Sequence, residues 1–260
     1  MERFESFDGV DIAYQVWAPA SGSPVDLPPV VLHHGFIVDA TANFVAPGVA
    51  GALVAAGRHV IAPDARGHGA SGKPHDTARY GEATMARDLG ALLDHLGVSQ
   101  ADLVGYSMGA VVSAIFAATS PARVRRLVLS GVGAAVAELG GLDTRAMPPA
   151  EVTAVLLTSS SSAVEASPAK AFRQLADAVG ADRVALAAQV GAAHNTPIGL
   201  DKITAPTLVL AGEDDPLAAR PEILAAAIPG ARWKVVAGDH LTALRSPAYV
   251  PALLDFLAAP

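Results

Sequence analysis

The stretch that decides the fold is Gly105-Tyr106-Ser107-Met108-Gly109, which follows the apolar run Ala101–Val104 and precedes the helical pattern of Ala110–Thr119. A serine in a sharp turn between a strand and a helix must adopt strained backbone angles, and side chains two positions away on either side would collide. Glycine at both positions removes that collision. The Ser107 hydroxyl is therefore predicted to stand exposed above a sheet edge, near the N-terminal amides of the following helix, where negative charge is stabilised.

Apolar runs with little polar alternation recur along the chain, as expected for parallel strands buried on both faces. These runs are Val30–His33, His59–Pro63, Ala101–Val104, Arg126–Ser130, Thr207–Ala211 and Arg232–Ala237. Alternating apolar residues around Asp8-Gly9 predict an additional β-hairpin at the start. Helical patterns separate most of the runs, at Ala50–Ala56, Thr84–Leu96, Ala110–Thr119 and Pro221–Ala227. This alternation predicts an α/β fold in which helices flank an eight-stranded, mostly parallel sheet.

One long interval interrupts the alternation, because no strand pattern occurs between the runs that end at 130 and begin at 207. Within it, helices are predicted at Pro149–Leu157, Pro168–Val179 and Asp182–Ala193, with a polar loop at Thr158–Ser162. We therefore expect a helical insertion after the sixth strand, at about residues 135–200. Residues 1–134 and 201–260 would then form the core.

Composition excludes several classes of protein. The formal net charge is −7 and no Lys/Arg cluster is present, so nucleic-acid binding lacks its electrostatic basis. The absence of cysteine excludes disulfides, thiolate metal sites and a cysteine nucleophile. The opening Met1–Ser6 has no apolar signal-peptide region, and the longest apolar run, Phe44–Gly57, is too short to span a membrane. We expect a soluble cytoplasmic protein.

Two further segments supply partners for Ser107. A serine hydroxyl is a poor nucleophile until an imidazole takes its proton, and a carboxylate must fix the tautomer of that imidazole. His240, in Ala237-Gly238-Asp239-His240, follows the last predicted strand, at the end of the sheet where α/β proteins place their sites. The strand Thr207–Ala211 leads into Gly212-Glu213-Asp214-Asp215-Pro216-Leu217, which offers two candidate carboxylates.

Taken together, these motifs resemble those of the α/β-hydrolase family. In that family the nucleophile elbow is G-x-S-x-G, and the catalytic residues occur along the chain in the order serine, acid, histidine. The resemblance aligns the acid with Asp215, three residues after Gly212, and not with Asp214. It also implies that the long insertion is a helical cap. His33-His34-Gly35-Phe36 is similar to the family's His-Gly-x motif, which implies an oxyanion hole formed by the backbone amides of Phe36 and Met108 and a scaffold role for His34. Ala110 departs from the pattern, since a second glycine is common there.

Two other patterns suggest cofactor or metal sites that the context contradicts. Residues 64–74 spell G-x-G-x-x-G and nearly spell a P-loop, but both motifs require a helix to begin at once. Pro74, His75 and Asp76 follow instead, and the segment resembles the family's structural Asp-x-Arg-Gly-x-Gly-x-Ser loop. His33 and His34 make a weak metal site, because adjacent side chains on a strand diverge and no third ligand lies at a suitable spacing. The sequence predicts neither cofactor nor metal.

The resulting prediction is a serine hydrolase that cleaves a carboxylic ester or lactone through an acyl-enzyme intermediate. The same residues could serve a carbon–carbon bond hydrolase acting on a β-diketone. A non-catalytic ligand-binding protein on the same fold is a third alternative, because a fold does not guarantee activity. Ser107 argues against haloalkane dehalogenases and epoxide hydrolases, whose nucleophile is an aspartate. The substrate and the oligomeric state stay open.

Overall fold

A computed structural model describes residues 1–19 and 27–258. The strands in this part of the chain are β1 (Glu2–Glu5), β2 (Asp11–Trp17), β3 (Val30–His33), β4 (Val60–Pro63), β5 (Ala101–Tyr106), β6 (Val124–Ser130), β7 (Thr207–Gly212) and β8 (Arg232–Val236). They form a sheet in the order β1-β2-β4-β3-β5-β6-β7-β8. The β1–β2 and β2–β4 pairs are antiparallel and all other pairs are parallel. The predicted eight-stranded, mostly parallel sheet and its N-terminal hairpin are confirmed.

Helices of the core cover both faces of this sheet. They are α1 (Val49–Ala55), α2 (Glu82–His95), α3 (Met108–Thr119), α9 (Pro221–Ala226) and α10 (Tyr249–Ala258), and the helices numbered between α3 and α9 belong to the insertion described below. Successive strand residues point to opposite faces. On β5, Leu103 packs in the cluster with α2 and α3, whereas Val104 packs in the cluster with α1 and α10. The central strands are therefore buried on both sides, as their apolar sequences predict.

The last strand differs from that expectation. The first four residues of β8 are exposed, including Trp233 at 50%, because β8 has a neighbour on one side only. The prediction that this run would be buried on both faces is wrong. An edge strand has a neighbouring strand on one side only, so its other side stays accessible to solvent.

The interval between β6 and β7 is a helical insertion, as predicted. It contains α4 (Ala134–Leu139), α5 (Pro149–Leu157), α6 (Ser161–Ala166), α7 (Lys170–Ala178) and α8 (Arg183–Gly191). The buried residues of α5–α8 form a hydrophobic cluster of their own, which also includes Ile37 of the core. The predicted loop at Thr158–Ser162 is wrong at its end, because the Ser160 hydroxyl accepts a hydrogen bond from the Ala163 amide and starts α6 at Ser161.

Candidate active site

Ser107 occupies the turn between β5 and α3 alone, since the strand ends at Tyr106 and the helix begins at Met108. The turn is tighter than the sequence predicted, because the two elements extend inward from their predicted ends at Val104 and Ala110. Ser107 has φ 54° and ψ −118°, a strained conformation for a residue with a side chain.

The flanking glycines are required by close approaches of the backbone. A Cβ on Gly105 would lie 2.3 Å from the carbonyl oxygen of Gly109, and a Cβ on Gly109 would lie 1.9 Å from the carbonyl oxygen of His33. No side chain fits at either distance. The steric reason proposed from the sequence for this glycine pair is therefore confirmed.

His240 and Asp215 meet Ser107 at the same edge of the sheet. The Ser107 Oγ lies 3.0 Å from His240 Nε2, and His240 Nδ1 lies 2.8 Å from Asp215 Oδ2. Asp215 is 4% exposed, and its Oδ1 accepts a second hydrogen bond from the Leu217 amide at 2.9 Å. The ionised carboxylate only accepts, so His240 must donate from Nδ1, which leaves Nε2 free to accept from the Ser107 hydroxyl. Asp214 is exposed and lies outside this chain of hydrogen bonds.

Tyr106 holds the histidine from behind, a contact that sequence reasoning missed. Its hydroxyl donates to the backbone carbonyl of His240 at 2.8 Å, and the two rings lie 5.4 Å apart. Burial raises the pKa of the Tyr106 hydroxyl, so it stays protonated and remains a donor. Gly131, with φ 65°, leaves room for both rings, because a Cβ there would lie 2.9 Å from the Tyr106 ring.

The loop after β3 passes close beside Ser107. The Gly35 amide donates to Asn43 Oδ1 at 2.7 Å, which fixes the loop in front of Phe36, and Ile37 has a left-handed φ of 75°. Within residues 1–19 and 27–258, the amides of Phe36 and Met108 donate to no acceptor of the chain. Two unused N–H donors thus stand near Ser107, on the β3 loop and at the start of α3. Asn43 carries no motif that the sequence alone could have revealed.

His34 is buried with both ring nitrogens engaged. Its Nε2 accepts from the Ala65 amide at 2.8 Å, and its Nδ1 donates to the carbonyl of Gly35 at 2.7 Å. This arrangement requires the neutral ring and ties the β3 loop to the loop after β4, in agreement with a structural role. His33 and His68 are also buried, and burial lowers the pKa of each to about 3.

The glycine-rich loop at 64–74 is held by ionic contacts and leads into no phosphate-binding helix. Arg66 is fully buried and pairs with Asp88 of α2 at 2.6 Å and with Asp8 of the hairpin turn at 2.8 Å. Asp64 accepts hydrogen bonds from the amides of Ala40 and Ala70. The segment that follows is irregular as far as a short turn at Thr77–Arg79. The contacts of Arg66 and Asp64 support the structural role that the sequence predicts for the loop.

A cavity of about 530 Å³ opens at Ser107 and His240. One part of its wall comes from the insertion: Leu142, Ala146, Met147, Ala171, Phe172 and Leu175. The core supplies most of the rest from the β3 loop and from the residues around His240. The volume suits a small molecule, and the predominantly apolar lining suits an alkyl or acyl group.

Two other features bear on the kind of site. Among the described residues, no group of three or more histidines or carboxylates is arranged to hold a metal ion. None of the helices in residues 1–19 and 27–258 combines the length and apolar character needed to cross a membrane.

Comparison with known proteins places the chain in a family. Residues 28–156 match the model of the alpha/beta hydrolase fold. A hydrolase from Pseudomonas aeruginosa is 29% identical, with a TM-score of 0.80 over 99% of this chain and 98% of that one. The enol-lactonase from Burkholderia xenovorans is 26% identical, with a TM-score of 0.75 over 99% of this chain and 100% of that one. The chain belongs to the α/β-hydrolase family.

A curated relative points to a second chemistry within that family. The 2-hydroxy-6-oxo-2,4-heptadienoate hydrolase of Pseudomonas putida is 45% identical over 87 residues, which are 33% of this chain and 31% of that protein. The match thus spans less than a third of that relative's length. Homologues therefore include enol-lactonases and carbon–carbon bond hydrolases as well as esterases.

Proposed function

We propose that the protein is a serine hydrolase that cleaves a carboxylic ester or lactone through an acyl-enzyme intermediate. The observation that carries the proposal is the continuous hydrogen-bond chain from Ser107 Oγ through the His240 ring to the buried Asp215 carboxylate. Ser107, where this chain of hydrogen bonds begins, lies on a strained turn and lines a cavity that a small molecule can enter.

In the first half of the reaction, Ser107 Oγ attacks the acyl carbon and His240 Nε2 takes its proton. Negative charge develops on the former carbonyl oxygen, and the Phe36 and Met108 amides donate to that oxyanion. Both donors are fixed by the backbone before substrate binds, so little reorganisation is needed as the charge forms. Asp215 stabilises the imidazolium, and His240 then protonates the leaving alkoxide oxygen.

In the second half, water replaces the alcohol and attacks the acyl-enzyme. His240 Nε2 removes a proton from that water, the same amides stabilise the second oxyanion, and Ser107 leaves with the proton held by His240. The carboxylic acid product departs and the resting hydrogen bonds are restored. No cofactor and no metal takes part in this sequence.

We assign a helical cap to residues 135–200 and propose that this cap selects the substrate. Its contribution to the cavity wall is apolar, and the part that lines the wall offers no nucleophile or acid–base pair. Small alkyl differences in such a pocket change relative reactivity while the acyl chemistry stays with the core.

Carbon–carbon bond hydrolysis of a β-diketone is the second candidate, and the similarity to the heptadienoate hydrolase favours it. A screen with short-chain esters, lactones and a vinylogous diketone separates the two. The ester proposal expects turnover of esters or lactones that Ser107→Ala abolishes. Turnover of the diketone alone would transfer the assignment to the carbon–carbon hydrolase. If no substrate is turned over and Ser107 is not labelled, the result would favour the third alternative, a non-catalytic ligand-binding protein.

A further inference from the structure

One arginine differs from all others in the chain. The sequence has 14 arginines, and each of the other thirteen contacts a carboxylate or the face of an aromatic ring. Within residues 1–19 and 27–258, the Arg245 guanidinium forms no hydrogen bond, ion pair or ring contact. Five donors on a permanently charged group are therefore left for water or a ligand.

Arg245 lies close to the candidate active site. It ends the short helical turn Ala243–Arg245, five residues after His240, and it lines the same cavity as Ser107. Among the described residues of that lining, it is the side chain with a permanent charge, and the walls beside it are largely apolar.

The backbone that carries Arg245 is well fixed. The Arg245 amide donates to the carbonyl of Thr242 at 2.8 Å. The Asp239 carboxylate accepts from the amides of Leu241 and Thr242, which closes the turn directly before it. The backbone of Arg245 therefore has a fixed place relative to His240, and its exposed side chain extends from that point.

We propose that Arg245 selects substrates whose acyl chain or lactone ring carries a terminal carboxylate. This inference rests on the proposed ester or lactone hydrolysis. The apolar wall would hold the methylenes that connect the two ends, while the planar guanidinium fork accepts a carboxylate through two parallel hydrogen bonds. A neutral chain of equal length fills the same cavity and leaves the Arg245 donors to water.

The test compares charged and neutral esters of matched length: the monomethyl esters of butanedioic to octanedioic acids against the methyl alkanoates. The quantity measured is the ratio of kcat/KM for the two series in each enzyme. Dividing the wild-type ratio by the Arg245→Gln ratio removes the intrinsic reactivity of the esters. We expect this quotient to be about three- to tenfold at the best chain length and to shrink as salt is added.

Two further variants sharpen the comparison. Arg245→Glu should lower the ratio below that of Arg245→Gln, because a carboxylate there repels the charged end. Lys234→Gln, which removes an exposed charge on β8 outside the cavity, should leave the ratio at the wild-type value. A ratio that is equal in wild type, Arg245→Gln and Arg245→Glu would overturn the inference, while ester turnover in those enzymes would keep the proposed function intact.

A binding measurement tests the inference apart from catalysis. Calorimetry with heptanedioate should give a Kd at least about threefold weaker in Arg245→Gln than in Lys234→Gln. Equal affinities would refute the role of Arg245 whether or not the protein hydrolyses esters. Absence of ester turnover and of Ser107 labelling in wild type would instead defeat the proposed function.

Discussion

Replacement of Asp215 by asparagine should disable the protein while leaving its shape unchanged. The Leu217 amide donates to Oδ1 at 2.9 Å, so the oxygen of the new amide is held on that side. Its NH₂ group then faces His240 Nδ1, where the carboxylate Oδ2 had accepted at 2.8 Å. The ring must accept at Nδ1 and carry its proton on Nε2, which can no longer take the Ser107 proton. We expect kcat to fall by about 10³–10⁴, equivalent to about 4–5.5 kcal/mol of transition-state stabilisation.

The neighbouring Asp214 provides a matched control. Its side chain is exposed and makes no hydrogen bond to His240, so Asp214→Asn should cost less than about tenfold in kcat. Both variants would be assayed with a chromogenic short-chain ester, after circular dichroism and thermal melts show that each is folded. A crippled Asp214→Asn beside a nearly normal Asp215→Asn would refute the assignment of the acid, and two nearly normal variants would refute the triad.

Three other perturbations test separate parts of the structure. Phe172→Ala and Leu175→Ala enlarge the side of the cavity that the insertion lines. The ratio of kcat/KM between esters of different chain length should therefore shift by roughly tenfold per methylene-scale change. Equal chain-length profiles in wild type and both variants would contradict a role of the insertion in substrate choice. A Cβ on Gly35 would lie 3.3 Å from the Ser107 Cβ. Gly35→Ala should therefore lower kcat by about 10–100-fold with little change in Tm. An unchanged kcat would show that the β3 loop can move to accommodate the methyl group without displacing Ser107. Burial lowers the pKa of His33 and of His68 to about 3, whereas the unfolded chain binds those protons near pH 6.5, so the free energy of unfolding should decline as pH falls from about 6.5 toward 3. The decline is about 1.4 kcal/mol per pH unit for each histidine. In His68→Gln, the slope of the free energy of unfolding against pH, measured by denaturant unfolding, should be smaller by that amount. A slope equal to that of wild type would contradict the prediction.

The parts of the site that sequence could predict are those fixed by local sterics and chain order. Ser107 was identifiable because Gly105 and Gly109 serve a backbone approach that no larger residue permits. Asp215 and His240 were identifiable because each follows a strand, and parallel strands bring their carboxyl ends to one edge of the sheet. Local sequence pattern and sheet topology were sufficient to predict that these three residues lie at one edge of the sheet.

Contacts that depend on packing could not be read from the sequence. Asn43 fixes the β3 loop from a segment without a motif, and Tyr106 holds the His240 backbone across 134 positions of sequence. Within residues 1–19 and 27–258, Arg245 differs from the other arginines because no carboxylate or aromatic ring contacts it, and the sequence does not show such contacts. The exposure of β8 follows from its place at the edge of the sheet, which is set by the order of the strands.

The central claim is that Ser107 is the covalent nucleophile of a hydrolase. Its most direct test is labelling of the folded protein with a fluorophosphonate, followed by peptide mapping in wild type and in Ser107→Ala. We expect a single adduct on Ser107 in wild type, none in Ser107→Ala, and a fall in kcat of about 10⁴-fold or more in the same variant. An adduct on a different residue, or ester turnover that survives in Ser107→Ala, would contradict the account.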